Sequence, residues 1–229
     1  MLELKVNLND LLGAYYERVM HTINQNGWWL LPAAVVKECA ITDKVLALCH
    51  IITNNTAIVK EIALLEKDLG IQATYLYSNM FELNNPREAI AFLSSLGHEV
   101  GICAELLVPF MQEYKHPHET LRELLEPFKE LGVQPRGLLC PESPYSKALR
   151  IDNYDYFFDF GKEKTMKVEL DGDGKVFRPG VHPIAEYGFE YVISKLEYAH
   201  EYDNFFELIQ PEDTGRSILY LNVEMWEVS

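Results

Sequence analysis

Apolar positions recur at helical spacing near the start of the chain. Leu8, Leu11, Leu12, Tyr15, Val19 and Ile23 share one face of a predicted helix over 8–26, with Asn7 or Asn9 as its cap and Gly27 closing it. The period then changes. Trp28 to Leu31 and Val45 to Ile52 are short apolar runs of strand length. After a polar loop, Thr53 to Thr56, helical spacing returns from Ala57 to Leu69, where Ile58, Ile62, Leu65 and Leu69 line one face and Gly70 ends it.

The alternation continues down the chain. Ala73 to Tyr77 reads as a strand, and Pro86 to Leu96 as a helix whose proline suits a first turn. Glu99 to Cys103 is the next strand, His118 to Leu131 a helix stopped by Gly132, and Arg136 to Cys140 a further strand. Tyr156 to Phe160 and Ser217 to Val223 also read as strands, and residues 183–208 are helix-prone in parts. Asp171 to Gly174 is a hairpin-turn signal between Val168–Leu170 and Lys175–Arg178. Strands alternating with helices imply a parallel sheet, either a barrel or doubly wound. No repeat, low-complexity tract or linker interrupts the pattern. The expectation is one domain over 1–229, with the N-terminal helix and first strand region in 1–43 and the core in 44–229.

Composition narrows the function classes. Apolar residues make up 48% of the 229 positions, far from the regime of disorder. A formal charge of −15 argues against nucleic acid or an anionic membrane surface as partner. No apolar run approaches the roughly 20 residues of a membrane span, so none is expected. The start carries no basic region followed by an apolar one, and Cys39, Cys49, Cys103 and Cys140 show no paired spacing. The expectation is a cytoplasmic protein with reduced thiols.

In parallel α/β folds the site is built past the carboxyl ends of the strands, here at or just beyond Ile51, Tyr77, Cys103, Cys140, Phe160 and Asn222. Around those ends, Leu48 to Tyr77 ends in Gly-Ile-Gln-Ala-Thr-Tyr-Leu-Tyr, Leu96 to Gly101 reads Leu-Gly-His-Glu-Val-Gly, and Gly132 to Tyr145 carries Pro-Arg-Gly ahead of a proline-rich turn. These blocks, with Leu219 to Trp226 near the end, resemble the polysaccharide deacetylase family. The resemblance implies an irregular (β/α) barrel of about seven parallel strands and, in active relatives, a metal-dependent hydrolase acting on carbon–nitrogen bonds. In those relatives one aspartate serves as base, a second aspartate and two histidines hold a divalent metal, and a later histidine protonates the leaving group. A metal with an open position supplies hydroxide near neutral pH, and the acid and base must titrate within hydrogen-bond reach.

This chain departs from the family at those places. Ile51 stands where the base aspartate falls, and Ile52 or Thr53 where the metal aspartate does. Cys103 and Leu107 replace the ligand histidines, Leu139 an orienting arginine, and Asn222 the last histidine. Aliphatic groups offer no lone pair, and an amide does not titrate. The expectation is a protein without metal-dependent deacetylation and without a cofactor.

What replaces the lost set stays open among several residues. Cys49 and Ile51 share one strand face, so Cys49, Cys103 and Cys140 are an alternative zinc site or a nucleophile, against the plainer reading of small buried hydrophobes. His50 lies on the opposite face and reads either as a buried, hydrogen-bonded histidine or as a binding residue. Glu105 and Glu142 are either solvated loop glutamates or ligands for sugar hydroxyls or a cation. Tyr77, Asn79 and Tyr145 are the expected lining of a saccharide or sugar-nucleotide pocket. A structural subunit is the third class of function, and assembly into a homo-oligomer stays open.

Overall fold

The computed structural model describes residues 12–13, 15–17, 19–20, 29–36, 45–157, 184–193 and 217–221. Near the start, Leu12, Gly13, Tyr15–Glu17, Val19 and Met20 are helical, with Tyr15 and Val19 buried, as their shared face predicts. The hairpin signal at Asp171 to Gly174 and the positions Cys39, Phe160 and Asn222 lie outside the described residues.

The described strands are β1 (Trp29–Leu31), β2 (Val45–Ile52), β3 (Thr74–Ser78), β4 (Glu99–Cys103), β5 (Gly137–Leu139), β6 (Tyr191–Ile193) and β7 (Ser217–Leu221). Backbone pairing follows chain order from β1 to β6, and β7 returns to pair with β2. β2 is parallel to β1, β3 and β7, and β5 is parallel to β4 and β6. The described helices are α1 (Ala33–Val36), α2 (Thr56–Asp68), α3 (Pro86–Ser95), α4 (Leu107–Gln112), α5 (Pro117–Leu131) and α6 (Ser146–Leu149). The protein is therefore α/β with parallel strands joined by helices.

Local chemistry sets these boundaries. Asn55 caps α2 by accepting from the Ile58 N–H, and Asn85 does the same for α3 at Glu88. His116 and Glu119 form a reciprocal cap on α5, Pro117 fills its first turn, and Gly132 ends it in the left-handed region at φ 65°. The β2 register pairs His50 with Tyr75 and Ile51 with Leu76 on one side, and His50 with Leu221 on the other.

Two compact units divide the contacts. The first comprises Met1–Tyr77, Phe81–Val100 and Leu196–Ser229, and the second Ser78–Met80 and Gly101–Lys195. In the first, β2 and the inner face of α2 bury Leu48, Ile52, Ile58, Val59 and Ile62. In the second, Phe110, Leu121, Leu124, Phe128 and Leu138 form the apolar interior.

Some expected elements differ. Of the strand expected over 156–160, Tyr156 belongs instead to a 3-10 turn, Asn153–Tyr156, and residues 158–160 lie outside the described residues. Asp152 and Asp155 cap that turn reciprocally, and such side-chain bonds compete with extended backbone. Inside the helix-prone stretch, Ile184–Tyr187 is a single 3-10 turn and Tyr191–Ile193 is β6, held between the Glu190 N–H and the Arg136 carbonyl and by pairing along β5.

Candidate functional site

A close group of titratable side chains lies in the first unit, around a carboxylate that the apolar pattern of α2 hides. Glu66 follows Ile58 and Ile62 at four-residue steps, so helix geometry turns it onto the same buried stripe, and it is 0% exposed. The Tyr15 hydroxyl and the His50 Nε2 (2.8 Å) donate to its Oε1, and the Tyr75 hydroxyl donates to Oε2 at 2.6 Å. A buried charge requires partners of this kind, because desolvation is otherwise prohibitive. Burial raises the Glu66 pKa, but the field and hydrogen bond of His50 and the bonds from Tyr15 and Tyr75 outweigh it. The carboxyl ends below its usual range. Both phenols move the other way, first through burial and then through the adjacent Glu66 charge.

His98 completes the arrangement from the start of β4. Its Nε2 donates to the Ala63 carbonyl at 2.9 Å and its Nδ1 accepts the Ala73 N–H at 3.2 Å, which fixes the tautomer and leaves Nδ1 3.8 Å from Glu66. Burial lowers its pKa, partly opposed by the Ala63 bond. His98 thereby ties helix α2 to the strand entering β3. His50, in contrast, is 0% exposed, and its Nδ1 has no hydrogen-bond partner among the described residues.

A second buried carboxylate organises the second unit. Glu105 Oε1 accepts the N–H groups of Leu107 (3.0 Å) and Val108 (2.9 Å) at the start of α4, and its Oε2 accepts from the Asn153 amide at 2.8 Å. Asn153, fully buried in its 3-10 turn, also accepts from the N–H groups of Leu106 and Leu107 and donates to the Pro141 carbonyl. Asn79 brackets the backbone of Glu105, donating to its carbonyl at 2.7 Å and accepting its N–H at 2.9 Å. Glu105 and Asn79 thus hold the chain that leads from β4 into α4.

The other nominated residues fall as follows. Ile51, Thr53, Cys103, Leu107 and Leu139 are all buried. Cys49, Cys103 and Cys140 are buried free thiols. Burial, reinforced by the Glu99 charge, raises the Cys49 thiol pKa, and burial followed by Cys103 and Glu105 raises that of Cys140. Among the described residues, no three His, Cys, Asp or Glu side chains are grouped to hold a metal ion. Tyr77 is half-buried, Glu142 is exposed, and the half-buried Tyr145 accepts a hydrogen bond from Gln112 at 2.9 Å. No helix among the described residues is long and apolar enough to cross a membrane.

Glu66, Tyr15 and Asn153 are structural centres that the strand ends do not mark, and Tyr75, an aromatic of the third strand, is buried against Glu66. A glutamate at position 66, eight residues after Ile58 on one helical stripe, is the signal available for the first. Nothing local marks Asn153. No protein-family model, curated protein or solved structure matches the chain.

Proposed function

We propose that this chain is a polysaccharide-deacetylase-like protein that binds a saccharide or sugar nucleotide in surface-polysaccharide metabolism and does not hydrolyse it by the metal-dependent route. The chemistry of the replaced positions carries the proposal. Where the family resemblance puts a base, metal ligands and an orienting arginine, this chain buries hydrocarbon at Ile51, Leu107 and Leu139, a hydroxyl at Thr53 and a thiol at Cys103. None of these is a carboxylate or an imidazole, the groups that serve the family as base and ligand. The parallel α/β build supports an irregular (β/α) barrel of about seven strands as the frame. Asn79, Glu142 and Tyr145 are the second unit's surface groups available to a sugar, an amide, a carboxylate and a phenol.

Burial of Cys49 and Cys140 with raised thiol pKa values weighs against a cysteine nucleophile, because the thiolate is the reactive form. A structural or interaction subunit is the second reading, and the burial of Ile51, Cys103, Leu107 and Leu139 favours it. The test is direct. Purified protein incubated with N-acetylated oligosaccharides releases no acetate above the protein-free control, while its Tm rises with at least one acetylated sugar or sugar nucleotide, as mass action requires of a native-state ligand. Acetate release abolished by a chelator would sink the proposal, and an unmoved Tm across the sugar panel transfers the case to the structural subunit. Native protein at pH 8 should leave Cys49 and Cys140 unalkylated by iodoacetamide, with full labelling in denaturant; rapid native labelling would revive the thiol chemistry.

A further inference from the structure

Among the described residues, positive φ falls on Gly70, Gly97, Gly132 and Gly188, and otherwise on Tyr114 at 56° and Arg150 at 55°. The left-handed region brings Cβ against the following carbonyl, so glycine is the residue that fits there without cost. Gly132 fills that place at the end of α5, whereas the end of α4 carries a bulky tyrosine. Tyr114 is also the most exposed tyrosine among the described residues, at 49%, so burial of its ring in a core does not offset the backbone cost. The turn that holds it is tight: the Pro109 carbonyl accepts from the Glu113 N–H at 3.0 Å and from the Lys115 N–H at 3.1 Å, on either side of Tyr114. Two residues earlier, the exposed Gln112 donates its amide to the Tyr145 hydroxyl at 2.9 Å.

We infer that Tyr114 is a sugar-stacking residue, kept in a conformation that favours glycine because its exposed ring is the platform for a pyranose at the end of α4. The inference rests on the saccharide reading above and supplies the aromatic face that Asn79 and Glu142 lack. A pyranose presents C–H bonds on one face and hydroxyls around its rim. A phenol ring offers the matching apolar face and a polar tip, and the Gln112 amide and Tyr145 hydroxyl add groups able to meet rim hydroxyls. Backbone held in a sparsely populated conformation is characteristic of such contact residues, since the surrounding structure has to sustain it. Here that structure is the doubly used Pro109 carbonyl behind the turn and the Glu105 and Asn153 bonds at the start of α4. A platform fixed in this way loses little further freedom when a ligand stacks on it.

Two substitutions in the full chain test the assignment, with urea unfolding for stability and calorimetric titration of chitooligosaccharides, the N-acetylglucosamine oligomers, for binding. Tyr114→Gly should raise the folding equilibrium constant by about threefold, the left-handed cost of a side chain less the extra freedom that glycine gives up on folding. The same variant should weaken binding of the oligomers by about five- to tenfold, the worth of one aromatic contact. Tyr114→Phe, which keeps the ring, should bind within about twofold of the wild type, a small fraction of that worth. Tyr114→Gly no more stable than the wild type would overturn the inference, because the ring would then be a support of the fold. Unchanged binding in Tyr114→Gly, or a loss in Tyr114→Phe as large as in Tyr114→Gly, would overturn it as well and leave the saccharide reading standing. A wild type that binds none of the oligomers, with Tyr114→Gly still the more stable protein, sinks the saccharide reading and the stacking role with it.

Discussion

Each unit holds a buried glutamate with several hydrogen-bond donors, Glu66 in the first and Glu105 in the second, and the two are satisfied by opposite means. Glu105 is held by the N–H groups of Leu107 and Val108, two and three residues on, and by the non-titrating amide of Asn153. Glu66 is held by side chains alone, two phenols and an imidazole, drawn from three separate parts of the chain. The first arrangement caps a short helix and fixes a loop. The second joins segments that are distant along the chain. Burial by itself therefore does not say what a carboxylate does; the kind of donor around it does.

Removing Glu66 should give the largest effect on this contrast. Glu66→Ala strands the Tyr15, Tyr75 and His50 donors in the core and should destabilise the first unit by about 3–5 kcal/mol at pH 7. Urea unfolding gives the number, and a loss under about 1 kcal/mol would mean that Glu66 is not the hub. The deficit relative to wild type should shrink in acid. A depressed folded pKa means that the Glu66 contribution is present above the ordinary glutamate range and vanishes as pH drops through the folded value. Asn153→Ala ranks next, at about 2–3 kcal/mol, because it frees the Leu106 N–H, the Pro141 carbonyl and one oxygen of Glu105 together and leaves the Leu107 N–H to Glu105 alone. Exchange protection should fall at α4, and an unaltered α4 would break the proposed symmetry between the two carboxylates.

Periodicity carried much of the fold and little of this polar interior. β2 and β4 have the bounds that their apolar runs predict, and the caps and glycines place α2, α3 and α5 within a residue or so. β6 escapes because three residues are too few to show a period, and its pairing along β5 is what makes it a strand. α4 escapes because Leu106, Leu107, Pro109 and Phe110 are all buried, leaving no polar face to reveal a helical repeat, and a partner 46 residues away supplies its cap. For the site, sequence alone placed His50 opposite Ile51 and offered a buried, hydrogen-bonded role for it, which is where the structure has it. The Glu66 partnership was hidden because a glutamate on a helix reads as solvated until tertiary packing turns it inward.

Glu105→Gln probes the contrast more gently. A glutamine keeps one carbonyl oxygen for the Leu107 and Val108 N–H groups but sets an amide against the Asn153 amide, donor to donor. The expected loss is about 1–2 kcal/mol. It should be restored in part by Asn153→Asp, which supplies an acceptor to the new amide, although Asp gives up the donor to Pro141. A double variant no more stable than the sum of its single losses would deny the direct contact.

The smallest effect belongs to Asn79, and for that reason it is the most useful. Its side chain pairs with both backbone groups of Glu105 at the surface, where water can replace each bond once the amide is gone. Asn79→Ala should therefore lower stability by only about 0.5–1 kcal/mol, read from the shift in urea midpoint. The fold survives a change of that size, so the variant separates two roles that the wild type combines. If Asn79 also meets a sugar, the ligand-induced rise in Tm should disappear in Asn79→Ala while the ligand-free Tm barely moves. An intact rise would confine Asn79 to bracing Glu105 and shift the saccharide contact to Tyr145 and Glu142, the remaining nominated groups at the surface of the second unit.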